Sequence, residues 1–537
     1  MSGEPTNVLA AARTRATGPA DPGVAAADDP TSPPLPVAAR RPAGAFDDLL
    51  GFDLDAATIP DLQERMDAGT LTAVDLTAAY LRRVKAVDPL TNAVLWLNPQ
   101  ALAEAAASDA RRAAGATRGA LDGIPVMVKD NIDTRDLPTT AGSRALLGLR
   151  PADDATVVKR LRRAGAVLLG KTNLSEWANF RSPRSTSGWS GIGGLTRNPY
   201  ALDRNGSGSS TGSAVAVAAG LAQVAVGTET DGSIVSPASL SGIVGLKPTV
   251  GLVSRSGIVP ISAAQDTAGP MARHVVDAAL LLAVLQGRDA EDAATQEIPR
   301  RLPAPAALDA DALAGARIGV WRLAGQDVRV DRVVEKAVVA LRRAGATVVD
   351  VDLDMEPVFG DESTALDSEF RRDLEAYLQA TPGDHPRTIA ALVAAHRADS
   401  VELRYFGQET FEAAATAKPA THRSIVAARR RATAAARAAI DGALAAHDLD
   451  AVLAPTNGPA WLTTLGAGDR FALPFSSTAA AVSGYPSVTV PAGFVERLPV
   501  GVSFVGPRWS DARMLSLAYA FEQATHHRRP PTYRTKS

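Results

Sequence analysis

From Phe46 onward, apolar residues recur first at helical spacing and then alternately at strand and helix spacing. Ile59 to Ala68 and Leu76 to Val87 read as helices, the second with Leu76, Tyr80 and Val84 on one face. Ala93 to Asn98 reads as a strand, Pro99 to Ala114 as a helix and Ile124 to Val128 as a short buried strand. A helix over Ala155 to Ala164 and a strand over Val167 to Gly170 continue the rhythm. Strands alternating with helices predict a largely parallel sheet covered on both faces.

The pattern breaks between Phe180 and Thr249, where Gly, Ser and Thr dominate and only a helix from Ala214 to Leu221 and a strand from Val224 to Gly227 stand out. Apolar runs interrupt this stretch throughout, so it reads as a site and not as a linker. Alternation returns with a helix over Val275 to Leu285, a strand over Arg317 to Trp321, a helix over Val330 to Ala344 and a strand over Thr347 to Val351. Met355 to Ile440 is helical and more charged, which suggests an insertion or cap. Ala451 to Gly506 is again β-rich, and Asp511 to Thr525 reads as a last helix.

Residues 1–44 carry many Ala and Pro and no periodic apolar face, and are expected to be a disordered extension preceding one domain over residues 45–537. They lack the apolar centre of a secretory signal, so a cytoplasmic chain is expected, with export left open. The longest apolar run, Ala278 to Leu285, is far too short to cross a bilayer. A formal net charge of −2 without a basic stripe argues against nucleic acid as a partner. A small-molecule or peptide substrate is expected, and no membrane partner. The chain has no cysteine, which excludes a thiol nucleophile, a disulfide framework and Cys-ligated metal, and no metal or other cofactor is expected.

The loop Gly206-Ser-Gly-Ser209-Ser-Thr-Gly-Ser213 before a helix invites comparison with phosphate-binding loops. It fails both glycine patterns, because no Lys lies between Gly206 and Ser233 and Thr211 stands where the dinucleotide motif needs glycine. A second serine, in Gly227-Thr-Glu-Thr-Asp-Gly-Ser233-Ile234, follows a strand directly. Serine needs a base to act as a nucleophile. No histidine precedes His274, and the elbow motif G-x-S-x-G is absent around Ser233. Lys129 is an alternative base, since it ends an apolar strand at the edge where α/β sites form. It would have to lose about 3 pKa units through burial, so Asp130 and Asp231 are expected to face elsewhere.

Five spaced motifs carry a resemblance to a known family. They are Gly123-Ile-Pro-Val-Met-Val-Lys129-Asp-Asn131, Lys171-Thr-Asn-Leu-Ser-Glu-Trp177, Gly206-Ser-Gly-Ser209-Ser-Thr-Gly-Ser-Ala214, Thr228-Glu-Thr-Asp-Gly-Ser233-Ile234 and Gly245-Leu-Lys-Pro-Thr249. Together they resemble the amidase signature family of serine hydrolases, over roughly Phe46 to the C-terminus. The resemblance implies an α/β fold, an α/β/α sandwich with a large mixed, mostly parallel sheet and a helical insertion over 355–440. It also implies a catalytic set of Ser233, Ser209 and Lys129, with Ser209 on a cis peptide bond and backbone N–H groups of Thr230, Asp231, Gly232 and Ser233 as oxyanion hole. The runs Val253 to Pro260, Gln265 to Arg273 and Gly484 to Ser487 are similar to the bacterial members that hydrolyse peptide amides. The implied reaction is hydrolysis of carboxamide C–N bonds, foremost C-terminal peptide amides, by a monomer or homodimer. The alternative is the ammonia-transferring, glutaminase component of an aminoacyl-tRNA amidotransferase.

Asp231 departs from the family's commoner glycine, and either aims at substrate or accepts loop N–H bonds. Trp177 and Trp189 are expected to pack, Lys171 to fix loop carbonyls, and Arg429 to Arg431 to form an exposed helix face.

Overall fold

The computed structural model describes residues 50–470 and 473–536. The extension expected over 1–44 lies outside the described residues. The chain begins with helices α1 (Ile59–Asp67) and α2 (Ala73–Thr91), strand β1 (Val94–Leu97), α3 (Ala101–Ala113), β2 (Pro125–Lys129), α4 (Thr156–Arg163) and β3 (Val167–Thr172). A two-stranded ribbon, β4 (Trp189–Ser190) and β5 (Gly194–Leu195), precedes α5 (Thr211–Ala218) and β6 (Val224–Glu229). Next come α6 (Val235–Leu240), β7 (Val244–Lys247), β8 (Thr267–Ala272), α7 (Val275–Leu285), β9 (Arg317–Trp321), α8 (Val328–Arg343) and β10 (Thr347–Val351). Helices α9 (Glu356–Ala380), α10 (Ile389–Ala398), α11 (Glu409–Thr416) and α12 (Arg423–His447) follow as one block. The chain closes with β11 (Ala451–Pro455), α13 (Ser477–Ser483), β12 (Ser487–Val495), β13 (Leu498–Val505) and α14 (Asp511–Thr525).

Eleven strands form one sheet in the order β1-β3-β2-β6-β8-β7-β12-β13-β11-β9-β10. The sheet is mixed, as expected, but it is not mostly parallel. Four pairings are parallel (β3-β2, β2-β6, β11-β9 and β9-β10) and six are antiparallel. The parallel pairs lie in two flanks that follow the helix-strand rhythm. Between them β8, β7, β12 and β13 reverse direction. The two-residue turn Glu496-Arg497 joins β12 to β13 directly, with Glu496 at φ 56°.

The central elements bury both faces, which removes the alternation that would announce them. Every residue of α5, α6, β6, β7 and β8 is buried, so α6, β7 and β8 left no periodic signal in the sequence. The helical block lies between β10 and β11. Phe370, Leu374 and Leu378 of α9, with Ile389, Leu392 and Phe411, pack on Leu146, Trp177, Val259 and Ile261, so the block packs against the segments on either side of the glycine- and serine-rich region. Arg429 does not join an exposed face. Its guanidinium pairs with Glu369 at 2.6 Å and bonds Gln265, because α12 packs along α9 there, whereas Arg431 is exposed and pairs with Asp361. Among the described residues no helix is long and apolar enough to cross a membrane.

Candidate active site

Strand β2 is buried along its whole length and ends in Lys129, beside β6 in parallel register, with Val128 opposite Val226. This places Lys129 next to Thr228 at the carboxyl end of two neighbouring strands, the edge where α/β sheets form sites. Lys129 is fully buried, and its Nζ donates to Ser209 Oγ (2.7 Å), Thr228 Oγ1 (2.9 Å) and the Thr228 carbonyl (3.4 Å). These three partners are all uncharged. Burial pulls the Lys129 pKa down from 10.5 to about 7, against the milder pull of Asp266 and Glu229 in the other direction. Asp130 pairs instead with Lys171 (3.3 Å) and Thr140, and Asp231 accepts from Ser477 and from Thr478 (2.7 Å), so both acids face away, as expected.

The Ser209 loop is fixed by close packing. The Gly208-Ser209 peptide bond is cis. A Cβ at Gly208 would lie 2.1 Å from Ser175 Oγ, so only glycine fits there. The Ser209 carbonyl accepts from the Ser175 N–H (3.0 Å), and Ser210 Oγ both donates to the Thr228 carbonyl (2.9 Å) and accepts from the Thr228 N–H (3.1 Å). The Ser210 N–H donates to the Ser233 carbonyl (3.1 Å), which ties the two serine loops together.

Ser233 lies in the turn between β6 and α6. Glu229 shapes that turn: its Oε2 accepts from the N–H groups of Ile234 (2.7 Å) and Val235 (3.0 Å) at the start of α6. Gly232 takes φ 75°, and a Cβ there would meet Phe475 and Ser477 at 2.9 Å. Thr230, Asp231, Gly232 and Ser233 all line a cavity of about 160 Å³, together with Ser207 and Gly208. Ser209 follows the lining residue Gly208 and bonds Lys129, both fully buried and outside the lining, while Ser233 keeps 8% of its surface accessible.

Sequence reasoning missed much of the cavity wall. Asn179, Glu362, Asp469 and Phe475 line it from three distant segments. Asp469 accepts from the Ser187 N–H (2.9 Å), Ser187 Oγ (2.5 Å) and Asn179 Nδ2 (3.3 Å), and burial raises its pKa to about 6. Asp231 and Glu362 face the cavity together, and burial with mutual repulsion holds Asp231 well above the usual carboxylate range. Trp177 and Trp189 are packing residues: Trp177 donates to His396 Nε2 (3.2 Å) and lies edge-on to Phe411, and Trp189 is enclosed by Tyr405 and Phe406. The Ala178-Asn179-Phe180 segment after Trp177 reaches the cavity instead. Lys171 fixes loops as expected, donating to the Pro138 carbonyl (2.8 Å) and Thr139 Oγ1 (3.1 Å).

A buried lysine held near neutrality, bonded to a serine whose neighbour lines the same cavity as a second serine, on a large mixed α/β sheet, is the arrangement of a serine hydrolase that works without histidine. The chain belongs to the amidase family, whose model matches residues 75–515. It is an enzyme that hydrolyses amide C–N bonds. It is 38% identical over 497 residues to a probable amidase of Arabidopsis thaliana, covering 90% of this chain and 92% of that protein. It is 35% identical over 508 residues to a component of the glutamyl-tRNA(Gln) amidotransferase of Chloroflexus aggregans, covering 89% and 99%. Among solved structures, the native peptide amidase of Stenotrophomonas maltophilia superposes with a TM-score of 0.85 at 50% identity, covering 89% and 99%. A peptide amidase bound to the competitive inhibitor chymostatin gives 0.87, also at 50%, covering 89% and 100%.

Proposed function

We propose that the chain hydrolyses C-terminal amides of peptides to the acid and ammonia, with Ser233 as nucleophile, Ser209 as relay and Lys129 as base. The single observation behind this reading is the fully buried Lys129, bonded among the described residues to no carboxylate but to Ser209, whose neighbour Gly208 lines the same cavity as Ser233. Neutral Lys129 takes the Ser209 proton as Ser209 takes that of Ser233, and the Ser233 oxygen bonds to the amide carbon. Backbone N–H groups of the cavity-lining turn Thr230, Asp231, Gly232 and Ser233 receive the oxyanion, where losing one such donor costs about 3–4 kcal/mol. As the C–N bond breaks, the proton on Lys129 returns through Ser209 to the departing nitrogen, which leaves as ammonia. Water, deprotonated through the same relay, then releases the acid from the acyl-enzyme and restores Ser233.

The choice of peptide amides draws support from the 50% identity to peptide amidase. The amidotransferase reading draws on relatives at 35% identity. Ammonia release from peptide amides, simple aliphatic and aryl amides, and glutamine, measured with the wild type and Ser233→Ala, tests the proposal. Peptide amides should turn over fastest, and Ser233→Ala should lose release from all of them. Undiminished release by the variant would overturn the nucleophile, and a preference for glutamine would overturn the substrate.

A further inference from the structure

A second cleft, of about 270 Å³, opens at the surface beside Ala263, Glu291 and Ala376 and reaches down to Asn131, Thr228 and Glu229. It shares the wall formed by Ala178, Thr230 and Ile261 with the Ser233 cavity, and its floor includes the threonine that Lys129 contacts. Five acidic side chains line it (Glu229, Asp266, Glu291, Asp292 and Asp373) against one arginine. That arginine, Arg255, is spent on Asp292, at 2.5 Å.

The floor holds two acceptors without donors. Asn131 and Glu229 are each only 2% exposed, yet Asn131 Oδ1 and Glu229 Oε1 have no hydrogen-bond partner among the described residues. The Asn131 amide nitrogen is committed to Thr228 Oγ1 (3.0 Å), so Oδ1 is the end left over. Lys247 offsets part of the Glu229 charge but donates to the Pro248 carbonyl (3.0 Å). Buried acceptors left unpaired are costly, and a ligand that matches them must bring N–H donors and positive charge.

We propose that this cleft binds a primary ammonium group. Two sources carry that chemistry: the ammonium that amide hydrolysis releases, a source that rests on the function proposed above, and an ammonium group borne by the substrate. Crystals of the wild-type chain soaked in thallium(I), which is close to ammonium in size, should show an anomalous peak within about 3 Å of Asn131 Oδ1 and Glu229 Oε1. Water alone at that position would overturn the proposal. This measurement needs no turnover, so it stands even if no amide proves to be a substrate.

Kinetics then separate the sources. If free ammonium is the occupant, ammonium chloride inhibits without competing with substrate, and tetramethylammonium chloride at equal ionic strength does not. If a substrate group is the occupant, a lysine-containing peptide amide shows a KM several-fold below that of its norleucine analogue. Ala376 is exposed at the cleft mouth, and Ala376→Trp should abolish whichever effect is present while keeping turnover of the norleucine peptide. Inhibition that competes with substrate, or that survives Ala376→Trp, would overturn the proposal, as would two flat arms.

Discussion

Lys129 and Lys171 stand on adjacent strands, both fully buried, and the sheet register sets Lys171 opposite Val128, one residue from Lys129. Their direct contacts differ by one carboxylate. Lys171 pairs with Asp130 at 3.3 Å, and Asp130 and Asp133 work against the burial that pulls its pKa down. Lys129 meets only two hydroxyls and a carbonyl, and falls to about 7. The same residue type at the same depth thus holds an ion pair in one place and meets uncharged partners in the other. What separates them is the direction in which Asp130 turns.

The sharpest way to break this comparison is to replace each lysine by methionine. Lys129→Met should lower kcat by about 10³-fold, within the usual range for a lost general base, and leave the chain folded. Lys171→Met should instead strand Asp130 in the interior and cost about 3–5 kcal/mol of stability, read as a fall in the denaturant midpoint. Comparable kcat losses in the two variants, at equal folded fraction, would erase the distinction.

Stability should move in opposite directions as well. Between about 7 and 10.5 the folded chain keeps Lys129 neutral while the unfolded chain holds its proton, so this group's contribution to stability is least favourable below about 7 and improves as pH rises to 10.5. Lys129→Met removes that burden and should raise the melting temperature near pH 7, whereas Lys171→Met lowers it. Parallel melts of both variants across pH 6 to 9 would show whether the signs differ.

How far such differences can be read from sequence depends on what the residues touch. Lys129, Ser209 and Ser233 stand at a strand end or in glycine loops, settings that taken singly read as ordinary structure, and only the resemblance of the five spaced motifs to a known family groups them as a candidate catalytic set. The turn of Asp130 away from Lys129 was also foreseeable, since a base at that position cannot tolerate an acid partner. Asn179, Glu362, Asp469 and Phe475 were not legible, because tertiary packing brings them to the cavity from segments with no shared motif. The central strands were hidden for a related reason. β7 and β8 are buried on both faces and carry Gly245, Gly269 and Pro270, so neither alternation nor propensity marks them. The overestimate of parallel pairing followed in part from those missing strands, which take part in three of the six antiparallel pairings.

The finest test concerns the acids that oppose neutrality at Lys129 from a distance. Asp266 is first among them. Its carboxylate accepts from Thr230 Oγ1 (2.6 Å) and from the N–H groups of Ile261 (2.8 Å) and Ser262 (2.9 Å), so it acts on Lys129 through space and not through a bond. With Lys129 as base, kcat/KM should rise with pH along a limb centred at about 7 as the lysine loses its proton. Asp266→Asn keeps the shape and removes the charge, so the protonated lysine loses support and the limb should move to lower pH, with the plateau rate nearly unchanged. Asp130→Asn, by contrast, should leave the limb in place and lower stability, because its charge is spent on Lys171. A limb that follows Asp130 and ignores Asp266 would mean that the two lysines have been assigned the wrong way round.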